Sequence, residues 1–362
     1  MSLVLEQLGM TVRGEEVIRD VSLRLERGTM TILLGPTLSG KTSLMRLMAG
    51  LDQPGSGRIL MDGHDVTGVP VRRRSVAMVY QQFVNYPSHT VYENIASPLR
   101  VAGLKKAEID ARVQQAARLL RLESLLTRTP TQLSGGQQQR TALARALVKG
   151  ADLVLLDEPL ANLDYKLREE LREELPRLFA QSGAILVYAT TEPAEALLLG
   201  GFTATLSEGR VTQFGPTAEV FRHPGTLAAA RVFSDPPLNE LPVEKRGPTV
   251  TLANGRTLPA VGALANLPDG AYRIAVRAED VTIGEGQAGA FVFSGQVAVS
   301  EISGSESFVH IGTDLTTFVC VEPGVHEREP GAAIAFSIDP QRLFVFDASG
   351  TRAAAPTMAE PA

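Results

Sequence analysis

Gly35-Pro36-Thr37-Leu38-Ser39-Gly40-Lys41-Thr42-Ser43 sets two glycines, a lysine and hydroxyls at the spacing of a phosphate-binding loop. Glycine lets the backbone curl until its N–H groups converge on an anion. A helix start behind the loop adds a favourable dipole. Lys41 is long enough to reach terminal phosphates, and the Thr42 hydroxyl is a hard ligand for Mg2+. Far downstream, Asp157-Glu158 follows an apolar run. An aspartate there can hold Mg2+ and a glutamate can polarise an attacking water. Together these residues point to binding and cleavage of a nucleoside triphosphate.

Such side chains need rigid supports. Met30-Thr31-Ile32-Leu33-Leu34 is a short apolar run ending at the glycine-rich loop, and Ser43 to Ala49 follows with helical spacing. Leu153-Val154-Leu155-Leu156 and Ala184-Ile185-Leu186-Val187-Tyr188 are two more buried-strand candidates. Apolar strands separated by helices predict an α/β domain whose sheet is covered on both faces. Residues 105–122 read as an amphipathic helix through Ile109, Val113, Ala116 and Leu120. Leucines at 163, 167, 171, 175 and 178 predict another, with Arg168, Glu169, Arg172 and Glu173 on its wet face. Arg72-Arg73-Arg74 reads as a solvated loop.

Near Ser234-Asp235-Pro236-Pro237-Leu238 the texture changes. Beyond this linker come short alternating runs, with Asn254-Gly255 as a hairpin signal. The division predicted is an α/β domain over 1–235, a small all-β domain over 236–348 and a disordered tail over 349–362. A length of 362 residues suits two domains. The single cysteine, Cys320, excludes an internal disulfide and fits a reducing compartment. No apolar stretch approaches the length of a membrane span, and no secretory leader is visible. A net charge of −5 argues against nucleic acid as a partner.

Leu133-Ser134-Gly135-Gly136-Gln137-Gln138-Gln139-Arg140, between the glycine-rich loop and Asp157, resembles the signature motif of ABC transporter ATPases. Gln81 resembles the Q-loop glutamine of that family, and Leu160-Ala161-Asn162-Leu163-Asp164 its D-loop. The resemblance implies a P-loop ABC ATPase domain with a helical subdomain inserted over about 84–150. It implies ATP and Mg2+, with Gly35 to Ser43 on the nucleotide, Glu158 and Gln81 catalytic, and Thr42, Gln81 and Asp157 on the metal. Ser134, Gly135, Gly136 and Gln137 would close on ATP held by a second ATPase subunit, in a head-to-tail dimer. Asp164 would sit in the D-loop at that interface.

Arg277-Ala278-Glu279-Asp280-Val281 and the stretch from Asp339 to Asp347 resemble the OB-like β-domain of sugar and polyol importer ATPases. Members of that family dock a membrane permease in the region from Gln81 to Leu99 and depend indirectly on an extracellular or periplasmic binding protein. The chain is thus expected to lie peripherally on the cytoplasmic face of the bacterial inner membrane and to energise uptake of a polyol or sugar, glycerol or a related compound.

Two positions depart from the family pattern. Thr191, in Ala189-Thr190-Thr191-Glu192-Pro193, stands at the place of the switch histidine. Threonine is short and uncharged, so it reaches a phosphate less directly. Where the family stacks an aromatic on adenine, Met10-Thr11-Val12-Arg13-Gly14 offers Val12 and Arg13. Both changes fall on the glycine-rich-loop face, while the signature face is complete. The pattern predicts pairing with a non-identical ATPase subunit and a slow site on this chain. The alternative is a regulatory ATP-binding module with little hydrolysis of its own. A translation or DNA-repair ABC protein fits poorly, because the chain has one cassette and no long coiled coil.

Overall fold

The computed structural model describes residues 2–161 and 163–356, without the side chains of 178–182. Its two compact units are Met1–Ala218 and Glu219–Ala362. The division falls before the Pro-rich stretch at 234–238. Residues 219–235 belong with the second unit because they are pinned there. Arg277, itself buried, stacks its guanidinium 3.8 Å from the centre of the Phe221 ring and donates to the Phe221 carbonyl. The Leu227 N–H donates to the Gly350 carbonyl at 2.8 Å.

The first unit opens with antiparallel strands. β1 (Ser2–Val12) lies between β2 (Glu15–Glu26) and β4 (Ser56–Met61), and β5 (His64–Asp65) forms the far edge. The second sheet has the order β10-β9-β3-β8-β7-β6. It comprises β3 (Met30–Leu34), β6 (Val76–Val79), β7 (Leu153–Asp157), β8 (Ile185–Thr190), β9 (Phe202–Ser207) and β10 (Arg210–Pro216). β3, β6, β7, β8 and β9 run parallel, and β10 returns antiparallel to β9. Every residue of β3, β7 and β8 is buried, which explains their unbroken apolar runs. Strand order reverses around β3 and β8, so the loops leaving β3, β7 and β8 meet at one sheet edge.

Helix α1 (Lys41–Ala49) buries Leu44, Met45, Leu47 and Met48 against the strands. Between β6 and β7 the chain inserts α2 (Val91–Val101), α3 (Lys106–Leu119) and α4 (Gly135–Val148), which pack on one another. The predicted amphipathic helix is α3, with Ile109, Val113 and Ala116 buried. Helix α5 (Tyr165–Ser182) buries Leu167, Leu171 and Leu175, and Leu163 is buried just ahead of it. The Leu178 side chain lies outside the described residues. Helix α6 (Pro193–Leu199) follows β8.

Two expectations for charged residues are corrected. Arg74 is not a solvated loop residue. Its Nη1 donates to the Met48 carbonyl at 3.0 Å and its Nε to the Val69 carbonyl at 2.8 Å. It therefore satisfies the Met48 carbonyl at the end of α1, which lacks a helical partner, and ties it to the loop at Val69. Arg172 is not on the wet face of α5; its side chain is 12% exposed and pairs with Glu169, Glu192 and Glu195.

Beyond the short helices Thr217–Arg222 and Leu227–Val232, the second unit is built of β-strands. One sheet is β13-β12-β11-β14-β20-β21, built from β11 (Asn239–Arg246), β12 (Thr249–Leu252), β13 (Thr257–Pro259), β14 (Gly270–Val276), β20 (Phe344–Asp347) and β21 (Arg352–Ala354). The other is β15-β19-β16-β17-β18, from β15 (Val281–Ile283), β16 (Phe291–Ile302), β17 (Glu306–Gly312), β18 (Thr317–Pro323) and β19 (Ala333–Ile338). Phe293, Phe318 and Phe336 cluster with ring centres 4.8–5.7 Å apart inside their shared core. Asn254 and Gly255 turn β12 into β13, and Gly255 takes φ 83°. Cys320 is buried and its thiol is pushed up to about 12 by that burial. The tail expected from 349 is corrected at its start. Asp347 accepts from the Ser349 and Thr351 N–H groups, which turns the chain back so that β21 pairs with β20. Residues 357–362 lie outside the described residues.

Candidate active site

The loop leaving β3 begins at Gly35, where a Cβ would sit 2.4 Å from the Leu206 carbonyl oxygen and 2.7 Å from Ser39 Oγ. Only glycine permits that approach. Gly40 precedes α1 with φ 102°, a left-handed turn that aims the first N–H groups of α1 into the loop. Lys41 is buried and its Nζ donates to the Gly35 and Pro36 carbonyls at 2.6 and 3.0 Å. Burial pulls the Lys41 ammonium below its usual range, and Glu158 and Asp157 partly restore it. Buried Ser39 Oγ has no hydrogen-bond partner among the described residues.

Leu38 is the odd member of this loop. It is 97% exposed and takes φ 68°. A branched apolar side chain gains nothing from water, and left-handed backbone costs a residue with a Cβ about 1–2 kcal/mol. Leu38→Gly is expected to stabilise the unit by about 0.5–1 kcal/mol, after glycine's greater freedom in the unfolded chain is subtracted. A urea midpoint that rises without a change in slope is the expected result.

Asp157 closes β7 and is buried, accepting from Thr42 Oγ1 at 2.7 Å. Desolvation raises its carboxyl above the ordinary range despite the Thr42 bond and Lys41. Glu158 follows with φ 44°, held because its N–H donates to the Ala189 carbonyl at 3.0 Å. Its carboxyl is also raised, chiefly by burial. Gln81, just beyond β6, donates from Nε2 to Glu158 Oε2 at 2.9 Å. Thr191 follows β8 and lines the same cavity of about 1010 Å³ as Lys41, Thr42, Gln81 and Glu158. One cavity thus gathers residues from six separate stretches of the sequence.

Gly14, Glu15, Glu16 and Val17 also line that cavity, and Val12 and Arg13 do not. Val12 ends β1, and Arg13 and Gly14, both at positive φ, make the turn into β2.

Ser134, Gly135, Gly136 and Gln137 do not line it. They form the start of α4, where Ser134 and Gln137 make a capping box: the Gln137 N–H donates to Ser134 Oγ at 3.4 Å and the Ser134 N–H to Gln137 Oε1 at 3.0 Å. Asp164 caps α5, accepting from the Leu167 N–H at 3.0 Å. Buried Gln139, one turn into α4, donates from Nε2 to the Glu158 carbonyl at 3.3 Å. That link between signature helix and catalytic loop was not singled out in the sequence, where Gln139 is one of three consecutive glutamines.

A second concavity of about 380 Å³ lies between the sheet and the inserted helices, and includes Tyr80, Tyr86, Ser97, Pro98 and Val101. Tyr86 and Val101 are exposed. Arg145 from α4 supports the groove: its guanidinium lies 5.0 Å from the centre of the Tyr86 ring and donates to the Val84 carbonyl. Tyr92 is less available, because its hydroxyl bonds to Asp110 on α3.

The donor set suits Mg2+. Thr42, Asp157 and Gln81 supply hard oxygen ligands around the loop, and Asp157 is already aimed at Thr42. Among the described residues, no group of three or more His, Cys, Asp or Glu side chains could hold a metal. Mg2+ commonly keeps one or two protein ligands and takes the rest from phosphates and water.

Comparison with known proteins agrees with this geometry. The ABC transporter family matches residues 18–161, and the TOBE domain family matches 274–346. The sn-glycerol-3-phosphate import ATP-binding protein UgpC 3 of Agrobacterium fabrum is 35% identical over 340 residues, covering 93% of this chain and 95% of that protein. The xylose/arabinose import ATP-binding protein XacK of Haloferax volcanii is 35% identical over 337 residues, covering 91% and 88%. The dimeric, post-hydrolysis ATP-binding cassette MJ0796 bound to ADP and Pi matches with TM-score 0.55 at 28% identity, over 59% of this chain and 98% of that one. The phosphate loop, the buried Asp157 and the adjoining Glu158, on a chain aligned almost end to end with these relatives, establish that it belongs to the ATP-binding subunits of ABC transporters, as an ATP-hydrolysing import subunit of the sugar and polyol type.

Proposed function

We propose that this chain binds ATP with Mg2+ at Gly35 to Ser43 and hydrolyses it at Glu158 to drive import of a polyol or sugar, glycerol or a related compound. The observation that carries the reading is the meeting of Lys41, Thr42, Gln81 and Glu158 around one cavity, with Asp157 bonded to Thr42 just behind it. Lys41 exchanges the Gly35 and Pro36 carbonyls for phosphate oxygens. The first N–H groups of α1 and Ser39 Oγ take the remaining phosphate contacts. Thr42, Asp157 and Gln81 hold Mg2+, which neutralises charge on the phosphates. Glu158 accepts a proton from the attacking water, and Gln81 orients the Glu158 carboxylate. The test is phosphate release by the purified chain and its loss on Glu158→Gln.

Ser134 to Gln137 lie outside this chain's own cavity, which suits the closing of ATP held by a second ABC ATPase subunit. We further propose that this subunit is non-identical. Thr191 leaves this chain's site short of one strong donor to developing phosphate charge, so a complete site must come from the partner. Losing one such donor is worth about two to three decades in rate. The alternative, a regulatory ATP-binding module, is weakened by Glu158 and Gln81, which a non-hydrolysing module does not need.

A membrane permease is the natural occupant of the groove at Tyr86, Pro98 and Val101, which overlaps the region from Gln81 to Leu99 and extends just past it. An extracellular or periplasmic binding protein would act through that permease. Among the described residues no helix is long and apolar enough to cross a membrane. Peripheral attachment to the cytoplasmic face through the groove follows from this reading.

A further inference from the structure

Behind Thr191 lies a charge cluster that ATP and Mg2+ do not account for. Arg168 and Arg172, one turn apart on α5, both face the segment that leaves β8. Arg172 is mostly buried. Its Nη2 donates to Glu192 Oε2 at 3.3 Å, its Nη1 to Glu169 Oε1 at 2.6 Å, and its Nε lies 3.6 Å from buried Glu195. Arg168 makes two connections of different kinds. Its Nη1 lies 3.7 Å from Glu192 Oε1, and its Nη2 donates to the backbone carbonyl of Ala161 at 3.1 Å. Glu192 is the residue immediately after Thr191, and its N–H donates to buried Thr190 Oγ1 at 3.0 Å.

The pattern is more than a surface ion pair. A guanidinium offers five N–H donors in a fixed plane, so one Arg can hold two acceptors at a fixed separation. Arg168 uses that plane to join a side chain beside Thr191 to a main-chain oxygen at Ala161. Arg172, itself mostly buried, adds a second contact to the same half-exposed carboxylate. Exposed pairs contribute little, but partly buried networks sharing acceptors restrict motion more than isolated pairs do.

We propose that Arg168 and Arg172 are positioning residues that tie the segment carrying Thr191 to the loop at Ala161, through the carboxylates of Glu192 and Glu195, so that the two segments shift together. The proposal rests on the reading of Thr191 as the residue that faces the terminal phosphate. Its consequence is that a short side chain at 191 is placed by its neighbours rather than by its own reach.

Amide hydrogen exchange on the full-length chain tests this, with and without ATP and Mg2+. Arg168→Met is expected to speed exchange of residues 190–192 and of residue 163 by about fivefold or more, with β3 and β7 unchanged as controls of folding. Arg168→Lys, which keeps a cationic N–H donor, is expected to lose less protection than Arg168→Met at both places. Unchanged exchange at 190–192 in Arg168→Met overturns the proposal. So does an equal loss of protection in β3 and β7, because a general packing defect would behave that way. Failure of the underlying reading shows elsewhere: Thr191→His would then leave phosphate release unaltered whatever the exchange data show.

Discussion

Glu158→Gln is expected to lower phosphate release from ATP by about two to three decades while leaving ATP affinity within about threefold. The amide keeps the size and planarity of the carboxylate and can still pair with Gln81. What it loses is the ability to accept a proton from water. The Glu158 backbone is held at φ 44° by the Ala189 carbonyl and by Gln139, neither of which involves the side chain. The loop should keep its shape, so the loss falls on kcat and not on binding. Removing a carboxyl that burial holds above its ordinary range also relieves repulsion from Asp157. Isothermal titration with ATP and Mg2+ beside a phosphate-release assay separates the two effects.

Lys41→Met is the second large effect, and it falls on binding. Lys41 Nζ is satisfied by the Gly35 and Pro36 carbonyls, so an ammonium is already desolvated and aimed along the loop. Transfer of that charge to phosphate oxygens replaces neutral acceptors with charged ones. A charge-assisted hydrogen bond is worth about 1.5–3 kcal/mol, which converts to a loss in ATP affinity of about 10- to 150-fold. Methionine keeps the length and apolar stem, so α1 should retain its packing through Leu44, Leu47 and Met48. Titration of both chains with ATP gives the ratio directly. A ratio near one would remove Lys41 from the phosphate site.

Much of this site was legible in the sequence because its parts are local. A glycine-rich loop between an apolar strand and a helix predicts its own geometry, and Met30–Leu34 and Lys41–Ala49 lie where the pattern puts them. Fully buried strands announce Asp157 and Thr191 by ending just before or at them. What could not be read are contacts between residues distant in sequence. Arg74 stands in a run of three arginines, and nothing local distinguishes the one that caps α1. Arg172 has the spacing of a wet helix face, yet Glu192 and Glu195 from beyond β8 cover it. Residues 219–235 join the second unit through contacts such as Arg277 on Phe221, a pairing that a Pro-rich stretch does not reveal.

The reading of this chain as an ATPase whose own site is limited at Thr191 is tested most directly by steady-state phosphate release from the purified chain, wild type against Thr191→His. Imidazole reaches farther than a hydroxyl and donates more strongly to developing phosphate charge. The account predicts slow turnover in the wild type and a rise of about two decades in the variant, abolished again by Glu158→Gln. Rapid turnover in the wild type, with no gain or a loss in Thr191→His, would contradict it and remove the main ground for an unlike partner.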